Sequence, residues 1–177
     1  MTTPIYLDHH ATTPLDPRVL EAMLPCLRDE FGNASSRHHA YGRRAAALVE
    51  QARERVAAAI AARYSELVFT SGATESNAIA IQGTARMRPG AHLVTTAIEH
   101  RAVLDTCRRL EREGWPLTVV PVDRCGRVDP HDIARALRAD TALVSVMAAN
   151  NEIGTLQPLA EIGALLRDGP ALFHVDA

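Results

Sequence analysis

The apolar positions of this chain fall into two kinds of pattern. From Ala45 onward, Ala45, Leu48, Val49, Ala52, Val56, Ala59 and Ile60 recur at three- and four-residue intervals. That spacing makes one stripe of an amphipathic helix, with arginines and glutamates on the opposite face. Further on, short apolar runs alternate with helical stretches. Strands are expected at Leu67–Thr70, His92–Thr96, Leu117–Val122, Ala142–Met147 and Ala171–Val175. Helices are expected over Thr74–Arg86, Ala102–Glu113, Asp129–Leu137 and Leu159–Leu166. Before the long helix, Ile5–Leu7 reads as a short strand and Asp8–Pro14 as a polar turn. Asp16-Pro17 opens a helix towards Phe31 by an N-cap carboxylate and a first-position proline, with a disturbance at Pro25 and an end at Gly32-Asn33.

Strand and helix in alternation with short connections predict crossover units. The fold class is therefore α/β, a mostly parallel sheet flanked by helices on both faces. In such sheets ligands bind beyond the carboxyl ends of the strands. The residues at those ends are chemically capable. Ser71 to Ser76 follow the first strand, Ile98-Glu99-His100 the second, Asn150-Asn151-Glu152 the Ala142 strand, and His174-Val175-Asp176 close the last. Small residues at Gly72-Ala73-Thr74, where a helix begins, let backbone N–H groups approach an anion, and Thr74 adds a hydroxyl. An ordinary capped turn has the same composition. His100 can stack on a planar ligand or carry a proton, or simply cap a helix. Asn151 can reach a ligand oxygen or serve its own turn. Asp176 can hold a protonated ring nitrogen or cap a further element.

Composition narrows the chemistry. The chain has 177 residues, 47% hydrophobic and 23% charged, with a formal net charge of -2. No basic patch points to nucleic acid, and no apolar run is long enough to span a membrane. The opening residues lack the pattern of a secretory signal, and Cys26, Cys107 and Cys125 are too scattered for a disulfide framework, so a cytoplasmic location is expected. The eight histidines and three cysteines show no metal-ligand spacing, so no metal site is expected. All 19 basic residues are arginine. Without lysine, no side chain here can form a lysine Schiff base.

Asp8–Pro14 (DHHATTP), Ser71–Ser76 (SGATES), Glu99-His100, Asn150–Gly154 (NNEIG) and His174–Asp176 (HVD) together resemble the NifS/IscS-like cysteine desulfurases of the class V aminotransferase group. The resemblance runs in order from end to end. It implies a fold like the type I transferases that use pyridoxal 5'-phosphate (PLP), with an incomplete large domain. Residues 16–177 would be part of that PLP-binding domain, and residues 1–15 a segment that packs with a small domain. Ala73 and Thr74 would hold the cofactor phosphate, and His100 would stack on the ring and assist proton transfer as a catalytic residue. Asn151 would contact the ring oxygen side and Asp176 the ring nitrogen. Asn33 and His39, with Ser35 and Ser36, would line the substrate side.

The implied activity is removal of sulfur from L-cysteine, giving L-alanine and an enzyme persulfide for iron–sulfur cluster assembly or thio-modification. The implied partners are a sulfur-acceptor or scaffold protein and a second copy in a homodimer. A selenocysteine lyase-like activity and a non-catalytic binding or regulatory module are the alternatives. Ala34 departs from the usual proline and Ala78 from a frequent asparagine. The glutamine expected after Asp176, the Ser-x-His-Lys segment with its Schiff-base lysine and the catalytic-cysteine loop are not among these residues. The 177 residues read as the front portion of such an enzyme, inactive alone.

Overall fold

The computed structural model describes residues 4–177, which divide into two units, one ending at Phe69 and the other beginning at Thr70.

The first unit is built on two helices. Helix α1, Pro17–Arg28, starts where the Asp16 carboxylate accepts the Arg18 backbone N–H at 2.8 Å and proline occupies the first position. Pro25 lies in its last turn. The helix passes through it for three more residues, since a proline this close to the end removes only one ladder donor, and the Asp29 N–H then closes on the Pro25 carbonyl. Helix α2, Ala40–Ala59, is capped by His39, whose Nδ1 accepts the Gly42 N–H at 3.2 Å. Here the chain needs glycine. A Cβ on Gly42 would lie 1.8 Å from the Ser36 carbonyl oxygen and 2.9 Å from that of Asn33. A single turn of 3-10 helix follows at Tyr64–Glu66.

The strands expected at Ile5–Leu7 and Leu67–Thr70 do not form. A strand needs a neighbouring ladder for its backbone groups. Leu67 has its carbonyl engaged by the Arg53 guanidinium instead, at 2.5 Å.

The second unit alternates as expected: α3 (Ala73–Met87), β1 (His92–Thr96), α4 (Arg101–Arg112), β2 (Leu117–Val120), α5 (Pro130–Ala136), β3 (Thr141–Met147), α6 (Leu159–Leu166) and β4 (Leu172–Asp176). The four strands are all parallel, in the order β2-β1-β3-β4. Because side chains alternate across a strand, the sheet feeds two cores. On one face Val94, Val120, Val144 and Val146 meet Ile133 of α5 and Ile162 and Leu166 of α6. On the other, Leu93 and Leu143 meet Ile81 and Ala85 of α3 and Val103, Cys107 and Leu110 of α4. All seven residues of β3 are buried, the mark of a central strand covered on both sides.

The strand order fixes where a ligand site belongs. After β1 the chain moves through α4 on one face to β2. It then returns through α5 on the other face to β3, on the opposite side of β1. The connections leaving β1 and β3 therefore diverge to opposite faces and open a crevice at the carboxyl edge between those strands.

Candidate functional site

Parallel register brings the strand ends to one edge. Thr96 pairs with Val120, and Met147 with Asp176. The N-terminus of α3 comes to the same edge. Its other end lies at the opposite rim, where the Trp115 indole, just ahead of β2, donates to the Ala85 carbonyl at 3.1 Å and Arg88 donates to the Pro170 carbonyl at 2.8 Å, just ahead of β4. Ala73 and Thr74 are thus the first residues of a 15-residue helix whose positive end faces the carboxyl edge.

The turn into α3 is organised by its own side chains. The Glu75 carboxylate accepts both the Ser71 backbone N–H, at 2.6 Å, and the Ser71 hydroxyl, at 2.8 Å. These bonds hold the Glu75 carboxyl below its ordinary range. Thr70 donates its hydroxyl to the Gly72 carbonyl and also lies 2.7 Å from the Ser76 hydroxyl. Gly72 offers no capping side chain, and a Cβ placed on it would meet nothing within 4 Å. The start of α3 is an open, exposed set of N–H groups, the arrangement that receives an anion.

At the crevice between β1 and β3, residues 97–101 and 150–152 enclose a cavity of about 280 Å³. His100 is the N-cap of α4, and its Nδ1 accepts the Ala102 N–H at 3.1 Å. That bond places the ring's own N–H on Nε2, so His100 caps the helix and presents a donor outward at once. Asn150 and Asn151 divide their duties. Asn150 is buried; its Oδ1 accepts the Glu152 and Ile153 N–H groups at 3.0 Å, and its Nδ2 donates to the Ile98 carbonyl at 3.1 Å. It ties the two cavity loops together. Asn151 is exposed on the cavity rim, and among the described residues its side chain makes no hydrogen bond, so its amide is available.

A third loop supports this wall. Gly126 has φ of +76°, a conformation that suits glycine, and a Cβ there would sit 2.5 Å from Ile98 Cδ1 and 2.7 Å from Ile153 Cδ1. Gln157, 7% exposed, fastens this loop by donating to the Gly126 carbonyl at 2.7 Å and accepting the Val128 N–H at 2.9 Å.

Two ionisable side chains lie deeper. Glu99 is 5% exposed; its Oε1 accepts the Thr96 hydroxyl at 2.5 Å and the Met147 N–H at 2.9 Å, while its Oε2 is buried with no partner among the described residues. Burial pushes its carboxyl up to about 7, against the two hydrogen bonds, with a smaller upward push from Asp176. His174 lies two residues before Asp176, its Nδ1 2.8 Å from the Ser145 hydroxyl, and burial lowers its basicity. Cys107, on α4 in the core that α3, α4 and the sheet share, has its thiol pushed up to about 12 by burial, which leaves no thiolate nucleophile there.

Ala73, Thr74, His100, Asn151 and Asp176 therefore share one sheet edge. Asn33 and His39 belong to the first unit. Asn33 Oδ1 accepts the Ser35 N–H at 2.9 Å and its carbonyl accepts that of Ser36, while His39 caps α2. Sequence reasoning named Glu99 and Asn150 among the strand-end residues but gave neither a role of its own. Neither has a periodic signal: one follows a strand end by three residues, and the other is the first half of an asparagine pair.

The aminotransferase class-V family model matches residues 5–177. The chain belongs to the class-V aminotransferase family. Within this family it is 54% identical, over 179 residues, to the cysteine desulfurase IscS of Anaeromyxobacter sp. (strain K), covering all of this chain and 44% of that protein. It is 53% identical over 176 residues to the cysteine desulfurase of Homo sapiens, covering 98% of this chain and 38% of that one. Among solved structures, a NifS-like protein superposes with a TM-score of 0.93 at 40% identity, over 99% of this chain and 49% of that one. A structure described as SspA in complex with cysteine gives a TM-score of 0.92 at 40% identity, over 97% of this chain and 50% of that one. This class-V chain thus spans under half the length of the curated relatives it matches. No helix among its described residues is long and apolar enough to cross a membrane.

Proposed function

We propose that these residues form the cofactor-binding part of a PLP-dependent cysteine desulfurase. The observation that supports this most is the shared edge: an open helix N-terminus, an imidazole, a free amide and a strand-end carboxylate around the β1/β3 crevice. The residues suit the group. A phosphate fits the uncapped N–H groups of Ala73 and Thr74, with the Thr74 hydroxyl beside them. Asp176 offers an anion to a protonated pyridine nitrogen, and Asn151 a donor to a ring oxygen. His100, with Nδ1 occupied by Ala102, offers its flat ring and the Nε2–H. When bound, PLP supplies the electron sink for bond changes at the amino acid. Asp176 supports that sink by keeping the ring nitrogen protonated, and His100 Nε2 holds a proton at the exposed side of the cavity.

L-Cysteine is the proposed substrate, following the relatives' activity, with a sulfur-acceptor protein and a second copy of the enzyme as partners. The 177 residues contain no lysine to anchor the cofactor covalently, so this chain by itself binds PLP non-covalently and releases no alanine from cysteine. Absorbance and fluorescence titration of the purified chain with PLP is expected to show saturable binding. Asp176→Ala should weaken it roughly tenfold or more, the scale of a lost charge-assisted hydrogen bond. Failure to saturate, or equal binding by Asp176→Ala, would refute the assignment, and alanine release by the chain alone would refute its dependence on a lysine from elsewhere.

A further inference from the structure

The buried carboxyl of Glu99 is unused by the scheme above, although it borders the same cavity. Its placement is specific. Beyond Thr95, which pairs with Ser145, the ladder between β1 and β3 has run out, and the Met147 N–H finds its acceptor in Glu99 Oε1. The Thr96 hydroxyl closes on the same oxygen. One oxygen thus carries two donors from the ends of both strands, and the other carries none, although the residue is 5% exposed. A buried carboxylate with a bare oxygen is costly, and a proton on that oxygen relieves the cost. Met147 is the register partner of Asp176, so one strand end that Glu99 clamps, that of β3, is the neighbour of the β4 end that presents Asp176.

We propose that Glu99 is a positioning residue for the ligand edge: with a proton on Oε2 it clamps the ends of β1 and β3 without adding a negative charge beside Asp176. The titratable and charged groups around it are Asp176 and His174 on β4, the Cys107 thiol on α4, and His100, Arg101 and Glu152 around the cavity. Asp176 is the one whose charge disfavours ionisation of Glu99. The neutral state matters for an anionic ligand. A further carboxylate at this edge, added to those of Glu75 and Asp176, would oppose a phosphate at the start of α3. That consequence rests on the cofactor reading; the protonation and the clamp do not.

The first arm of the test needs no ligand. Carboxyl-carbon NMR of the labelled chain should show Glu99 titrating at about 7, and Asp176→Asn should move that midpoint to lower pH. A Glu99 signal that stays ionised through mildly acidic pH, or one that ignores Asp176→Asn, overturns the proposal. The second arm uses PLP as probe. Wild-type affinity should fall severalfold as pH rises through about 7, Glu99→Gln should bind with wild-type low-pH affinity and without that fall, and Glu99→Asp, too short to reach Met147, should not restore it. Equal pH profiles for wild type and Glu99→Gln would overturn the link to the ligand edge. If no variant binds PLP while the NMR arm behaves as expected, the cofactor reading fails and the clamp stands.

Discussion

Residues 70–177 and residues 4–69 differ in how they bury their apolar side chains. In the later region the sheet supplies two broad surfaces, and Leu93, Val94, Leu143, Val144, Val103, Leu110, Ile133 and Ile162 are each no more than 2% exposed. In the earlier region the buried apolar residues are Ala45 and Ala57, and α1 buries none of its residues. The stripe of α2 is present, yet Leu48, Val49, Val56 and Ile60 are between 37% and 61% exposed. Periodicity decides that a helix forms with an apolar face; it does not decide what that face meets. What the first region does pack closely is backbone, where the Asn33–Ser36 turn lies against α2 at Gly42.

Substitutions should separate these two modes, and the core of the later region should give the largest effect. Leu143→Ala opens a cavity in the central strand and should cost about 2–5 kcal/mol in denaturant unfolding. A cost under about 1 kcal/mol would mean the sheet is not the centre of stability. The next effect is a pH dependence. The folded state holds the Glu99 carboxyl at about 7, above the 4.5 of a free glutamate. The folded state therefore binds the extra proton between those values. Its contribution, on the order of 3 kcal/mol, is complete below the unfolded pKa and is lost as pH rises through about 7. Glu99→Gln should flatten that slope in thermal unfolding followed across pH.

Gly42→Ala tests the backbone contact. It should cost about 1–3 kcal/mol and loosen the turn at Asn33, as judged by hydrogen exchange at Ser36, whose N–H is donated to Asn33. The smallest change is Leu27→Ala on α1, where the side chain is 69% exposed. It should move unfolding by less than about 0.5 kcal/mol. A loss comparable to Leu143→Ala would erase the contrast between the regions.

Much of the architecture was legible because it rests on local rules. The Asp16-Pro17 and Asp129-Pro130 helix starts, the alternation after residue 70 and the polar strand ends all follow from propensity and period. The misjudged strands at Ile5–Leu7 and Leu67–Thr70 show where that stops. A short apolar run is a strand only if another strand lies beside it, and pairing is not a local property. The candidate site was legible as a set of residue types at strand ends. Its division of labour was not, since Asn150 and Asn151 are the same residue type, separated by burial alone.

By itself, then, the sequence determined which segments are helical, that the sheet is parallel, which chemistry-bearing residues end its strands and that no lysine is among them. Only the tertiary structure decided the strand order, and with it the crevice between β1 and β3. It also decided that His100 keeps Nδ1 for its own helix, and that Glu99 is clamped through one oxygen with the other bare. The reason is physical. Secondary structure and polarity follow from neighbours a few positions apart, whereas burial and charge state depend on groups 48 residues apart in the chain, as Glu99 and Met147 are.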